Sequence, residues 1–257
     1  MLCAMELCIE TKGLTKEFAG LRAVDALDLR VERGSFYGFL GPNGAGKSTT
    51  IKMLTGILAP TSGEARIFGL DLRRNGLAIK RRTGVVPEDL GLFDNLTGPE
   101  YLAFVGRMHG LPRRVILGRT EELLALMGLD GTGGTMVFEF SHGMRKKLAL
   151  SAALIHDPEL LFLDEPFEGV DAIASRTIRA VLERVVARGG TVFLTSHVLE
   201  IVERLCTHGG IISRGRLARQ GTLAEVSNGG TLEEAFVDAA GASETPPGTL
   251  SWLERGG

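Results

Sequence analysis

Three short apolar runs punctuate the chain, and each ends abruptly in polar residues. Ser35–Leu40 (SFYGFL) leads into Gly41-Pro42-Asn43-Gly44-Ala45-Gly46-Lys47-Ser48-Thr49. Leu160–Leu163 leads into Asp164-Glu165-Pro166, and Thr191–Thr195 into Ser196-His197. Runs this short, bounded by turn formers, read as buried strands. Between them apolar positions recur at helical spacing, as in Ile51, Leu54 and Leu58, where Pro60 and Gly63 stop the pattern. Strands alternating with helices predict an α/β fold around a mostly parallel sheet. Polar residues just past the strand C-termini collect along one sheet edge, where such folds bind ligands. Three segments far apart in sequence are therefore expected to converge on one site.

From residue 87 to residue 157 the pattern turns helical. Leu102, Val105, Leu123, Leu124, Leu126 and Met127 lie in helical stretches broken by Gly110-Leu111-Pro112 and by Gly128 to Gly134. This segment reads as a helical subdomain inserted into a main domain spanning 1–226. Residues 227–257 are expected to form a C-terminal helix and a flexible tail, because Gly241–Gly257, with Pro246-Pro247 and a lone Trp252, has weak periodicity. No internal repeat is visible.

Bulk properties narrow the function classes. With 44% hydrophobic and 23% charged residues, the chain can bury a full core, and a formal net charge of -2 offers no basic field for nucleic acid. Cys3, Cys8 and Cys206 are too few and too scattered for a disulfide framework or a structural zinc site, and read as reduced thiols. The best candidate for a membrane span, Leu148–Ile155, is far shorter than the roughly 18 residues required and runs into His156-Asp157-Pro158. The start, MLCAMELCIETKG, has no basic n-region and carries Glu6 and Glu10, unlike a secretory signal. A soluble chain is expected, acting on a membrane only through a partner.

The chemistry begins at Gly41. Residues Gly41 to Ser48 match G-x-x-x-x-G-K-[ST], with the strand before and the helix after that a phosphate-binding loop requires. The glycines let backbone N–H groups turn inward around phosphate oxygens, and the helix N-terminus adds positive potential. Lys47 is expected to reach the β- and γ-phosphates, and the Ser48 hydroxyl to bind Mg²⁺. Asp164 supplies the carboxylate that Mg²⁺ needs, and Glu165 is placed to orient or deprotonate the attacking water. His197 could donate to the γ-phosphate, although a lone histidine past a strand serves equally as a structural hydrogen-bonder.

The order phosphate loop, helical insert, SHGM, LLFLDEP, EGVD, TSH resembles the ATP-binding-cassette family over about Leu7 to Val226. The resemblance implies a P-loop core with an antiparallel β portion near the N-terminus and the inserted helical subdomain. It also implies ATP and Mg²⁺ as ligands, and hydrolysis of ATP coupled to transport. Carried over by position, Ser141 and Gly143, in Phe140-Ser141-His142-Gly143-Met144, hold the γ-phosphate of ATP bound to a second copy's loop. Asp171, in Glu168-Gly169-Val170-Asp171, supports the partner's site, and Phe18 stacks on adenine, unless it is a core phenylalanine. Ser141 is also a good N-cap for a helix from Met144 to Ile155.

Two positions depart from the family pattern. Glu88 stands where glutamine is usual, and joins Ser48 and Asp164 as a candidate metal ligand. His142 replaces a glycine. Both variants resemble the branch paired with separate drug, sodium or polymer export permeases. The expected partners are thus such a permease and a second copy, or close relative, in a head-to-tail dimer on the cytoplasmic face of the membrane. Leu90, Leu92, Phe93, Leu96 and Tyr101 are either groove for a permease helix or internal core. Alternatives are a soluble cassette ATPase uncoupled from membranes, a non-hydrolysing nucleotide switch, and a small-molecule kinase, for which no acceptor site is visible.

Overall fold

The computed structural model describes residues 6–241, so Cys3 and most of the expected C-terminal tail, including Pro246, Pro247 and Trp252, lie outside the described residues. The strands are β1 (Leu7–Phe18), β2 (Leu21–Leu27), β3 (Arg30–Glu32), β4 (Phe36–Leu40), β5 (Ser62–Ile67), β6 (Leu70–Asp71), β7 (Thr83–Val86), β8 (Leu160–Leu163), β9 (Thr191–Ser196), β10 (His208–Ser213) and β11 (Arg216–Thr222). The helices are α1 (Lys47–Leu54), α2 (Gly76–Lys80), α3 (Gly98–Met108), α4 (Arg113–Met127), α5 (His142–Leu154), α6 (Ala172–Ala187), α7 (Leu199–Leu205), α8 (Leu223–Ser227) and α9 (Leu232–Ala240).

Two sheets form the body. The main sheet has the order β11-β10-β4-β9-β8-β7, parallel from β10 through β7, with β11 antiparallel at one edge. An antiparallel sheet from the N-terminal part of the chain sets β1 against β2, β3 and β5, and β5 against β6. The three apolar runs of the sequence are β4, β8 and β9, adjacent and parallel. They are buried along their whole length because both faces of this sheet are covered.

Alternation along β8 shows how. Leu161 and Leu163 face the core shared with α3, α4, α5 and α6, whereas Leu160 and Phe162 face α1 and the antiparallel sheet. All four are fully buried, each contributing about 1.5–3 kcal/mol of burial free energy. Phe193 centres the second core, stacked on Tyr37 at 5.5 Å and tilted against Phe39 and Phe162.

The segment 87–157 carries α3, α4 and α5. The capping box Thr97/Glu100 starts α3, and the Ser141 Oγ accepts from the Met144 N–H at the start of α5. That helix begins at His142, two residues earlier than the apolar periodicity indicates, because the cap rather than the first apolar residue sets the start. Among the described residues, no helix is long and apolar enough to cross a membrane. Cys8 and Cys206 are free and buried. Desolvation pushes the Cys8 thiol up to about 11 and raises that of Cys206 as well.

Candidate active site

The loop after β4 opens into a cavity of about 300 Å³ lined by Asn43, Gly44, Gly46, Lys47, Ser48 and Thr49. Ala23 of β2, Glu88 after β7, Glu165 and Glu168 after β8, and His197 after β9 complete the lining. The loop's shape is set from behind. Gly46 has φ +108°, and a Cβ there would stand 2.5 Å from the Ala23 carbonyl oxygen. A Cβ on Gly215, on the hairpin between β10 and β11, would stand 2.9 Å from the same oxygen, and the Gly215 N–H donates to Ala45 O at 3.0 Å. Only glycine fits either place.

Lys47 is buried at 7% exposure, and its ammonium donates to Gly41 O at 2.7 Å and Pro42 O at 3.3 Å. The Glu165 carboxylate stands between two basic groups, with Oε1 3.8 Å from Lys47 Nζ and Oε2 3.1 Å from His197 Nδ1. An ionised carboxylate only accepts, so Nδ1 carries the proton of that contact. The other ring nitrogen then donates only when the imidazole is doubly protonated. His197 thus orients Glu165 in either state and can reach a phosphate as a donor only as a cation.

Asp164 is buried beneath Glu165, at 2% exposure. Thr195 links the two: its hydroxyl donates to Asp164 Oδ1 at 2.6 Å and accepts from the Glu165 N–H at 3.0 Å. Ser48 Oγ lies 3.4 Å from Glu88 Oε2, across from the start of α1. The donors Ser48, Asp164 and Glu88 are all oxygen, which suits a hard cation such as Mg²⁺. Among the described residues no cluster of three or more His, Cys, Asp or Glu side chains forms a closed metal cage. Mg²⁺ is commonly held by one or two carboxylates with substrate phosphates, so this donor set fits it.

The chain matches the family model described as ABC transporter over residues 24–168. It is 40% identical over 217 residues to the bacitracin transport ATP-binding protein of Bacillus licheniformis, covering 84% of this chain and 70% of that protein. It is 39% identical over 220 residues to the daunorubicin/doxorubicin resistance ATP-binding protein of Streptomyces peucetius, covering 86% and 67%. The chain belongs to the ABC transporter family. A solved ATP-binding subunit of an ABC transporter superposes with a TM-score of 0.84 at 30% identity, over 90% of this chain and 99% of that one.

Within the ABC frame, the remaining candidates fall outside the cavity. Ser141, Gly143 and Asp171 form a second group, in which a Cβ on Gly143 would stand 3.4 Å from Asp171 Oδ2. Asp171 caps α6 through Oδ1, and the Ala174 amide first, then that of Ile173, hold its carboxyl below the usual carboxylate range. His142 lies along Gly169, whose Cβ position is 3.0 Å from the His142 ring. Phe18 is 45% exposed at the end of β1, with the Lys16 ammonium 5.0 Å from its ring, so it is not a core residue. It does not line the cavity.

Sequence reading missed Thr195, Glu168 and Lys146. The register pairs Leu163 with Leu194, so the next positions, Asp164 and Thr195, are neighbours. A threonine at the end of an otherwise apolar strand was the available signal. Lys146, buried in α5 with its ammonium 2.6 Å from Glu165 O, left no signal in the helical pattern.

Proposed function

We propose that this ABC subunit hydrolyses ATP at the cavity and that two chains, each supplying half of every site, drive export through a separate membrane-spanning permease on the cytoplasmic face. The observation that carries the hydrolytic reading is the Glu165 carboxylate bracketed by Lys47 and His197 at the mouth of a phosphate loop. In this reading the amides of Asn43 to Thr49 and the Lys47 ammonium bind the phosphates. Glu165 takes a proton from the water that attacks the γ-phosphorus, and the bond to the bridging oxygen breaks to release ADP and phosphate. Ser48, Asp164 and Glu88 would hold Mg²⁺, which when bound supplies charge neutralisation at the phosphates. Phe18, exposed on the hairpin that also brings Ala23 to the cavity, is the candidate adenine platform.

A non-hydrolysing switch would not need a carboxylate so held. Phosphate release from ATP by the purified chain separates the two readings. Export is supported by the relatives named for bacitracin transport and for daunorubicin/doxorubicin resistance.

The permease reading rests on the surface around the residues following Glu88. The apolar cluster there divides: Leu92 is buried, Leu90 and Tyr101 are half-buried against the core, and Phe93 is 49% exposed, edge-on to Tyr101 and Phe104. Beside it a hollow of about 300 Å³ is lined by Pro87, Leu90, Tyr101, Val105, His109 and His156, among others. We take the segment 87–157 as the subdomain that presents this surface to the permease. Phe93→Asp should abolish drug efflux by cells expressing subunit and permease, while the isolated subunit keeps at least about half its ATPase rate. Loss of folding instead would return Phe93 to a core role.

Glu88 offers a test of the metal assignment. An added negative charge should bind the metal more firmly than a neutral amide. Glu88→Gln is therefore expected to stay active, with kcat changed by less than about tenfold, and to need more Mg²⁺ for half-maximal turnover. Glu88→Ala should lose more. Mg²⁺ titrations of the ATPase rate check this, and three superimposable curves would exclude Glu88 from the metal site.

A further inference from the structure

Glu165 adopts a backbone conformation that glutamate rarely visits, with φ +47° in the left-handed region. Its peptide groups are tied down on both sides. The N–H donates to Thr195 Oγ1. The carbonyl accepts from the Glu168 N–H at 3.2 Å, closing a turn with Pro166 in its second position, and from Lys146 Nζ at 2.6 Å. Lys146 reaches this carbonyl from α5, and is 3% exposed.

We propose that Lys146 is a positioning residue for ATP hydrolysis: by gripping the Glu165 carbonyl from α5, it fixes the direction in which the Glu165 carboxylate points. This rests on the reading of Glu165 as the group that handles the attacking water.

The bond is unnecessary for satisfying the backbone, because the carbonyl already has the Glu168 N–H. Nor does packing call for an ammonium, since Leu148, Ala149 and Leu150 fill neighbouring buried positions of α5 with apolar groups. An interior ammonium is costly unless compensated. Burial lowers the pKa of Lys146, and the Glu168, Glu165, Asp164 and Glu88 carboxylates oppose that shift. What the ammonium adds is a short, charge-assisted second bond that sets a direction. It joins the backbone of Glu165 to the helix that Ser141 caps and whose first turn holds Gly143. A sliding of α5 would therefore be felt at Glu165, and misplacement by about 1 Å can cost about a hundredfold in rate.

The test compares Lys146→Met, Lys146→Arg and Glu165→Gln in the full chain, by steady-state ATPase kinetics and thermal melting. Lys146→Met is expected to lower kcat by about 10–100-fold with KM for ATP within about twofold of the parent. Lys146→Arg, which keeps a charged donor, should recover to within about fivefold. In a Glu165→Gln background, Lys146→Met should leave unchanged the ATP-dependent dimer that the proposed function expects of Glu165→Gln. Parental turnover by Lys146→Met beside an inactive Glu165→Gln overturns the proposal. So do loss of that dimer, or equal impairment of both Lys146 variants with KM raised in step. Parental turnover by Glu165→Gln removes the underlying reading and the proposal with it. Should Lys146→Met fail to fold, Lys146→Gln carries the same comparison, and unfolding of both makes the residue structural and overturns the idea.

Discussion

Glu165→Gln should bind ATP as the parent does and turn it over at roughly one hundredth of the rate or less. The two side chains have nearly the same shape, so packing at this buried position is retained. The amide oxygen can still accept from His197 Nδ1, which is 3.1 Å from the carboxylate. What is lost is basicity toward water and the charge facing Lys47 at 3.8 Å. Removing that charge relieves an attraction on the lysine, so ATP affinity should hold or improve. Nucleotide retention on a filter, measured alongside phosphate release, separates the two steps. Near-parental hydrolysis by the purified variant would end the assignment of Glu165 as the water-handling group.

A second large effect is expected when two inactive chains are mixed. Lys47→Ala removes the phosphate-holding ammonium, and Ser141→Arg sets a bulky cation at the start of α5. If Lys47 and Ser141 meet across a dimer, each variant alone has a defect in both of its sites. In the mixed dimer, one site takes Lys47 from the Ser141→Arg chain and Ser141 from the Lys47→Ala chain, and is intact. Its counterpart carries both defects. Mixtures should therefore recover ATPase activity well above either parent, by about tenfold or more, following the statistical share of mixed dimers. The geometry motivating this is the separation within one chain: Ser141, Gly143 and Asp171 gather away from the cavity that Lys47 lines. Mixtures no more active than their components, or a strictly monomeric profile of Glu165→Gln with ATP and Mg²⁺, would leave no place for a shared site.

The parts of this molecule that could be read in advance are those where local chemistry and tertiary position coincide. The phosphate loop announces itself because its glycines, lysine and serine must be contiguous to wrap a phosphate. Asp164, Glu165 and His197 were legible because β8 is apolar to its last residue and β9 is apolar from Val192 to Leu194, which makes the polar residues that follow conspicuous. Lys146 had no such contrast. A lysine on a helix is ordinarily solvated, and only the packing of α5 over the sheet edge turns this one inward. The fate of Phe93 and Leu92 was equally hidden, because adjacent apolar residues carry no record of which one a surface will leave outside. His197 illustrates a subtler limit: its position was visible, but the nitrogen facing Glu165, which determines what the other nitrogen can do, was not.

The close fit of Gly46 and Gly215 around the Ala23 carbonyl bears on how this chain can vary. Strand β2 sets one backbone oxygen against the back of the phosphate loop, so close that no side chain fits at either glycine. The path of β2 is therefore tied to the phosphate loop and, through the bond from the Asp25 N–H to Gly215 O at 2.9 Å, to the β10–β11 hairpin, whereas its exposed side chains, Leu21 and Arg22 among them, do not enter that fit. Substitutions there should be accepted freely in a mutational library, and a single inserted or deleted residue between Leu21 and Asp25 should not. Drift in this hairpin is confined to its surface, and its length is inherited with the loop.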